Sequence, residues 1–269
     1  MYGWRARIGF INPSMTAETM LQEFPMVAPP GVALVVTNLA IQHLVRDDIG
    51  KSLSLVKAAA AELARAKVSV IVLGGSPPVT YGGIGFDKEI ARQIAEVTAI
   101  PGTTSQTGAV EALRRLGVQK VALASPFAED QNLLLKKFLE DSGFTVVSVK
   151  GLGIPLIDIG RMPASASYEL AKEAFGAAPD AEGIYMPCAQ MPTFRNIAPL
   201  ETDLGIPVVT SFQGMLWHVF DKLGHSNRVE LAADAIRRGI TVEATPTAPR
   251  APAAAPTTPR RQPPLRPHG

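Results

Sequence analysis

The feature that most constrains the fold of this chain is an internal repeat. Pro13 and Pro126 are as far apart along the chain as Ile71 and Ile184, and the separation of Ile100 and Ile206 is only slightly smaller. Between these positions, apolar runs, loops and helix-like segments recur in the same order. A repeated order of segments is typical of a duplicated structural unit. The sequence therefore predicts two halves of similar length and topology, and the alternative is that two unrelated βαβ stretches resemble each other by chance.

Each half alternates strand-like and helix-like segments. Residues 8–11, 32–39 and 68–73 are apolar runs, and 32–39 is of the continuous kind that parallel strands show when both faces are covered. Residues 47–67 carry apolar side chains at helical spacing. Alternation of this kind predicts βαβ units and parallel sheets. We therefore expect an α/β fold with two similar Rossmann- or flavodoxin-like lobes, related by a pseudo-twofold repeat, with an active site in the cleft between them.

The division into lobes follows from the repeat and from a change in composition near the end of the chain. We expect residues 5–104 together with 212–240 to form the first lobe, and 105–211 to form the second. From residue 244 to the end there are eight prolines, four arginines and no acidic residue. Such a segment buries too little apolar surface to offset its ordering entropy. Residues 241–269 are therefore predicted to be a disordered tail.

The same tail accounts for the positive charge of the chain. Without its four arginines, the formal charge of +2 becomes −2, which argues against a nucleic-acid partner. A single cysteine excludes an internal disulfide and fits a reducing compartment. No signal-peptide pattern precedes the first apolar run, and no segment approaches the roughly 18 apolar residues that cross a bilayer. The expected location is therefore cytoplasmic, without a membrane partner.

The only cysteine, Cys188, is the strongest candidate for chemistry. It follows the apolar run 184–186 and a chain break at Pro187, and in open α/β sheets ligands lie outside the carboxyl ends of the strands. The alternative is that Cys188 is a small buried hydrophobic residue. Overlaying the two halves aligns Gly75 with Cys188, or Gly74 if the register shifts by one residue. The sequence thus predicts a thiol on one face of the cleft and a glycine on the other.

Several segments, in this order and spacing, resemble the aspartate/glutamate racemase superfamily. The resemblance covers roughly residues 6–226 and is closest to arylmalonate decarboxylases and maleate isomerases. It is carried by six stretches: residues 7–14, 70–76, 109–118, 121–127, 184–193 and 200–209.

The resemblance implies an enzyme that acts, without a metal or other cofactor, at the carbon α to a carboxylate of a small acid. Racemases of this superfamily use two cysteines, because inversion removes a proton from one face and delivers it to the other. A single cysteine opposite a glycine resembles the decarboxylase arrangement, in which carbon dioxide leaves and one cysteine protonates the enediolate. The alternatives are maleate-type cis-trans isomerisation and racemisation of amino acids or hydantoins. A homo-oligomer is compatible with the resemblance.

The resemblance also implies a set of groups that bind the carboxylates and the developing enediolate. These are Ser14, Ser76 and the backbone N–H of Ala189, with Ser125, Thr210 and Ser211 as further donors whose alternative roles are capping and turn formation. Gly75 and Phe127 are also expected at the substrate-binding site.

This chain departs from the family pattern in two places. Phe127 stands where the family often has tyrosine, so a hydroxyl is missing, and Pro77 removes a backbone N–H. Three apolar residues, Ile41, Val79 and Ile157, are expected to line a substrate pocket.

Two other classes of function receive less support. His43, His218 and His225 lack the spacing of metal ligands, so no metal site is predicted. A two-lobed binding protein would require an export signal or, as a regulator, a helix-turn-helix module, and the sequence shows neither. A thiol opposite a Gly-Gly-Ser loop therefore favours an enzyme over a binding protein.

Overall fold

The computed structural model describes residues 2–223, which contain two four-stranded parallel sheets. The first sheet has the order β2-β1-β3-β4, formed by β1 (Ala6–Ser14), β2 (Val32–Ile41), β3 (Val70–Leu73) and β4 (Gly102–Thr104). The second has the order β6-β5-β7-β8, formed by β5 (Lys120–Ser125), β6 (Thr145–Gly151), β7 (Gly183–Met186) and β8 (Val208–Thr210). The two strand orders are the same, so the predicted α/β fold with two similar lobes is confirmed.

Helices connect the strands and cover the sheets. They are α1 (Glu18–Val27), α2 (Arg46–Ser54), α3 (Val56–Arg65), α4 (Ser76–Thr80), α5 (Phe86–Thr98), α6 (Ser105–Arg115), α7 (Glu129–Asp141), α8 (Ala164–Gly176), α9 (Phe194–Leu204) and α10 (Ser211–Lys222). A 3-10 turn spans Leu156–Arg161. The helical segment expected over residues 47–67 is divided into α2 and α3, which meet at Leu55. No helix within residues 2–223 is long and apolar enough to cross a membrane.

The register of strand pairing shows how closely the two lobes correspond. Ile8 pairs with Val70 in the first sheet, and Val121 pairs with Gly183 in the second. Val121 lies as far beyond Ile8 along the chain as Gly183 lies beyond Val70, and this separation is also that of Pro13 from Pro126. The spacing seen in the sequence is therefore the spacing of the structural repeat. A residue just after β3 has its structural counterpart one repeat later, just after β7.

The lobes are joined through α6 and α10, which pack against each other at two equivalent glycines. A Cβ atom added at Gly108 would lie 2.8 Å from the Cα of Met215, and one added at Gly214 would lie 3.2 Å from the Cα of Ala109. Because glycine has no side chain, the two helix backbones can approach closely at these positions. Glycine at both positions therefore allows α6 and α10 to pack closely against each other.

Helix α10 lies against the first sheet although it follows the last strand of the second. Phe212, Met215 and Phe220 of α10 share an apolar cluster with Phe10 and Val72 of β1 and β3. Helix α10 thus packs on the first sheet, and the division of the chain into lobes remains a prediction. Residues 224–240, which we expected in the first lobe, and the predicted tail, 241–269, lie outside the described residues.

Candidate active site

A cavity of about 30 Å³ lies where the carboxyl ends of strands from the two lobes meet. Residues of both lobes surround it. The first lobe contributes Phe10, Asn12, Pro13, Ser14, Ile41, Leu44, Gly75, Pro77 and Pro78. The second contributes Phe127, Leu156, Cys188, Ala189 and Gln190. None of these lining residues is lysine, arginine or histidine, so any anion bound here must be stabilised by neutral donors and backbone N–H groups.

Cys188 follows β7 by two residues and has an unusual backbone. Its φ is +80°, in the left-handed region that L-residues other than glycine rarely adopt. The carbonyl of Cys188 accepts a hydrogen bond of 3.1 Å from the backbone N–H of Met191, which closes a turn. Strained backbone of this kind tends to occur at functional sites, where the surrounding structure holds it in place. The surrounding structure therefore holds Cys188 in a left-handed backbone conformation that is unfavourable for an isolated L-residue.

Burial determines the protonation state of this thiol. Burial raises the pKa of Cys188 to about 11, although the backbone N–H groups of Gln190 and Met191 point at the sulfur and oppose the shift. The side chain is only 8% exposed, and a charged thiolate would have to be desolvated there. At neutral pH, Cys188 is therefore a protonated thiol, and as an acid it can supply a proton to a bound carbanion.

Gly75 occupies the equivalent place on the other lobe. It follows β3 by two residues, as Cys188 follows β7, and its φ is also +80°. A Cβ atom at Gly75 would lie 2.7 Å from Cγ of Pro13, another residue of the cavity wall. A Cβ atom at Gly74 would instead lie 2.2 Å from Cζ of Phe10. Of the two registers left open by the sequence, the structure therefore favours Gly75 as the counterpart of Cys188.

The first lobe contributes a polar loop beside the thiol. Asn12 donates through Nδ2 to the backbone carbonyls of Ser14 and Thr16, at 3.0 and 2.7 Å, and to Oδ1 of Asn38. The backbone N–H of Thr16 donates to Oγ of Ser14 at 3.3 Å. Asn12 thus orders the loop that presents Ser14 to the cavity, a role that no separate sequence signal indicated.

The loop that follows Cys188 is held by the first lobe. Gln190 donates through Nε2 to Oγ1 of Thr16 at 2.8 Å and to Oε2 of Glu18 at 3.4 Å. Oε1 of Glu23 accepts hydrogen bonds from the backbone N–H groups of Thr193, at 2.8 Å, and Phe194, at 3.1 Å. The loop carrying the thiol is therefore anchored to the other lobe.

Five of the nine residues expected at the site line the cavity: Cys188, Ser14, Gly75, Phe127 and Ala189. The other four, Ser76, Ser125, Thr210 and Ser211, are not among its lining residues.

Two of those four serve the fold around the cavity. Ser76 is fully buried, and its hydroxyl lies 3.4 Å from the hydroxyl of Tyr185. The hydroxyl of Ser125 donates to the side chain of Asn132 and accepts from the backbone N–H of Phe127 at 3.1 Å. Ser125 therefore shapes the loop that carries Phe127, which is the turn-forming alternative to a substrate contact.

The remaining two lie at the start of α10. Oγ1 of Thr210 accepts from the backbone N–H of Gln213, whose side chain in turn accepts from the backbone N–H of Thr210. This reciprocal pair is a capping box, in which the oxygen of the Thr210 hydroxyl accepts a hydrogen bond at the start of α10. Ser211 is fully buried beside it.

Of the three apolar residues expected to line the substrate pocket, only one lines the cavity. Ile41 lines the cavity as predicted, but Val79 is packed in the main apolar core and Ile157 is 41% exposed. Leu156, the neighbour of Ile157 in the 3-10 turn, takes its place together with Leu44. Adjacent residues of a tight turn point in different directions, so an error of one residue is enough to choose the wrong side chain.

The described residues contain no cluster of three or more histidine, cysteine, aspartate or glutamate side chains arranged to hold a metal ion.

Two known enzymes resemble this chain in sequence. A curated arylmalonate decarboxylase from Bordetella bronchiseptica is 29% identical over 189 residues, covering 70% of this chain and 79% of that protein. A maleate isomerase from Geobacillus stearothermophilus is 24% identical over 231 residues, covering 81% and 91% of the two chains.

A solved structure of an arylmalonate decarboxylase also resembles this chain. A liganded arylmalonate decarboxylase carrying a glycine-to-cysteine and a cysteine-to-serine substitution is 26% identical, with a TM-score of 0.76, over 81% of this chain and 93% of that one. The protein-family model described as arylmalonate decarboxylase matches residues 8–235. Because this match spans most of the chain, the protein belongs to the arylmalonate decarboxylase family.

Proposed function

We propose that this protein decarboxylates substituted malonates and that Cys188 protonates one face of the resulting enediolate. The observation that carries the proposal is the asymmetry of the cavity. Cys188, a buried and protonated thiol, lines the cavity from the second lobe, and Gly75, which has no acidic group, lines it from the first lobe at the equivalent position of the repeat. One acid placed in this way is what a decarboxylase needs, because carbon dioxide leaves without a base having to remove a proton.

The reaction would proceed in three steps. The bond between the α carbon and one carboxylate breaks heterolytically, releasing carbon dioxide and leaving an enediolate. The Cys188 thiol then transfers its proton to the α carbon, forming a new C–H bond. The thiolate left behind regains a proton from water as product departs. Atoms and charge balance without an oxidant or a reductant.

The proposed binding groups divide the cavity into a polar and an apolar part. Ser14 and the backbone N–H of Ala189 would hold the retained carboxylate, where negative charge grows as the enediolate forms. Ile41, Leu44 and Leu156 would surround the carboxylate that leaves, or the substituents on the α carbon. An ionised carboxylate is poorly solvated by such side chains, which favours its loss as neutral carbon dioxide.

Substrate entry requires the cavity to enlarge. A volume of about 30 Å³ admits only about one or two water molecules, far less than a substituted malonate needs. Leu44 belongs to the loop between β2 and α2, and Nε2 of Gln131 in the second lobe donates to its carbonyl at 2.9 Å. This loop bridges the lobes across the cavity, so we propose that it moves when substrate binds.

The state of the thiol favours this reaction over cis-trans isomerisation. Isomerisation by addition to a double bond needs a thiolate, and a group with a pKa near 11 is ionised to on the order of one part in ten thousand at pH 7. The superfamily pattern for isomerisation also has a second cysteine, where this chain has Gly75.

The experiment is a screen of the purified full-length protein against substituted malonates, maleate and amino acids. Carbon dioxide release and optical rotation are followed together. The proposal predicts carbon dioxide from malonates carrying an apolar substituent and no turnover of maleate. Conversion of maleate to fumarate, with no carbon dioxide from any malonate, would replace decarboxylation by isomerisation.

A further inference from the structure

We infer that Glu23 of α1 is a positioning residue that holds the loop carrying Cys188 in its active geometry. This loop, the Cys188 loop, consists of residues 187–193, between β7 and α9. The inference deepens the proposed function and rests on it where catalysis is concerned. The effect on the thiol itself can be measured without any substrate.

The contact is direct and buried. Glu23 is 6% exposed, and a single carboxyl oxygen, Oε1, accepts from the backbone N–H groups of both Thr193 and Phe194. These two residues are the N-cap and the first residue of α9. N–H groups at the start of a helix lack partners within the helix, and a neighbouring side chain commonly supplies one. The side chain of the N-cap residue does not do so here, so Glu23 from the other lobe supplies the acceptor.

The geometry of the Cys188 loop makes this anchor relevant to the thiol. Only four residues separate Cys188 from Thr193, and the hydrogen bond from Met191 N–H to the carbonyl of Cys188 folds the segment into a turn. Cys188 itself has a φ of +80°, which surrounding contacts must maintain. Fixing the end of so short a segment limits how far Cys188 can relax towards an ordinary backbone conformation.

Burying the carboxyl group of Glu23 costs desolvation free energy. The second oxygen of Glu23, Oε2, is buried and has no hydrogen-bond partner among residues 2–223. Burial raises the pKa of Glu23 to about 7, although the N–H groups of Phe194 and Thr193 and the positive charge of Arg195 lower it. An apolar side chain would avoid this desolvation but would leave two backbone N–H groups without an acceptor. What the position requires is therefore an acceptor oxygen.

The test compares two substitutions of nearly equal size. Glu23→Gln keeps an acceptor oxygen at Oε1, whereas Glu23→Met removes it and fills the same volume. Val27→Ala is the matched control, since Val27 is buried on the same helix but its side chain has no atom that can accept a hydrogen bond. The readout is the rate of alkylation of the native full-length protein by iodoacetamide, which reports on Cys188 alone because the chain has one cysteine.

We expect Glu23→Met to raise the alkylation rate at pH 8 at least tenfold and to lower the apparent thiol pKa, because a released loop exposes the sulfur to water. Glu23→Gln should stay within about threefold of the unmodified protein, and so should Val27→Ala. With a malonate substrate, Glu23→Met should lower kcat more than it raises KM. Alkylation rates and thiol pKa that are the same in Glu23→Met and the unmodified protein would overturn the inference.

Two further outcomes are also decisive. If Glu23→Met does not fold, amide hydrogen exchange of the unmodified protein replaces it. Protected amides at Thr193 and Phe194 support the anchor, and exchange as fast as in exposed loops overturns it. If the alkylation result is as expected but no malonate is turned over by any variant, the anchor stands and the proposed decarboxylation fails.

Discussion

Gly75 and Cys188 occupy equivalent positions on the two lobes and share a φ of +80°. Each follows the end of a central strand by two residues, and the two strands pair with their neighbours in the same register. The backbone conformation at this point is thus a property of the fold, which glycine adopts freely and cysteine adopts under constraint. The two lobes differ in whether a thiol is present there, and in the proposed reaction this difference would set how many faces of the carbanion are protonated.

The first prediction concerns the thiol. Cys188→Ser should lower turnover of a malonate by at least a hundredfold and leave the circular dichroism spectrum and the melting temperature nearly unchanged. Serine is close to cysteine in size, but an alcohol is a far weaker acid than a thiol. Steady-state kinetics and thermal melting measure the two effects. A serine variant that retained more than about a tenth of the activity would show that Cys188 is not the proton donor.

The second prediction concerns the opposite face. Gly75→Cys should supply a second acid across the cavity, so that the product becomes less enantiopure and pure product slowly exchanges its α hydrogen for deuterium in deuterated water. The new Cβ atom must displace the ring of Pro13 slightly, since their separation would be 2.7 Å, and the required φ is one that Cys188 already adopts. Chiral chromatography and mass spectrometry give both quantities.

The matched control for this variant is Gly75→Ser, which has nearly the same bulk and strain but no thiol. It should give product of unchanged enantiomeric purity, even if turnover is slower. Gly74→Cys is a poor alternative, because its Cβ atom would lie 2.2 Å from Cζ of Phe10 in the core. A folded and active Gly75→Cys variant with product as enantiopure as before would contradict the facing arrangement.

The third prediction is a pH dependence. Because burial raises the pKa of Cys188 to about 11 from an ordinary value of 9.0, the alkylation rate should rise about tenfold per pH unit from pH 7 to pH 10. The unfolded thiol ionises first, so the free energy of unfolding should fall as pH rises from about 9 towards 11. Rapid alkylation assays under native conditions, with urea-unfolded protein as reference, test the shift. A native rate that levels off below pH 9 would show that the thiol is not held in its neutral form.

The sequence predicted the fold well because the relevant signals are local and repeated. Apolar runs identified the strands, and the equal separations of Pro13 from Pro126 and of Ile71 from Ile184 aligned Gly75 with Cys188, with Gly74 as the alternative. The site was predicted less well because hydroxyl groups have competing partners. Ser125 and Thr210 form hydrogen bonds with residues near them in sequence, Ser125 in a loop and Thr210 in a helix cap, and only the folded chain shows which partner each hydroxyl takes.

Other parts of the site depended on contacts that no local pattern encodes. Leu156 lines the cavity and Ile157 does not, although both are equally apolar and adjacent. Glu23 looks in sequence like one more charged residue of an amphipathic helix, and its partners are 170 and 171 residues further along the chain. The proximity of α1 to the Cys188 loop arises only when the two lobes come together.

In the proposed reaction, one protonated thiol delivers a proton to one face of the bound carbanion. The most direct measurement is decarboxylation of a prochiral malonate, such as 2-methyl-2-phenylmalonate, by the unmodified protein in deuterated water, with the product resolved by chiral chromatography and its deuterium content measured by mass spectrometry. A single thiol should give a single enantiomer carrying one deuterium at the α carbon, and this product should keep its configuration when returned to the enzyme. Racemic product, or racemisation of pure product by the unmodified protein, would contradict it.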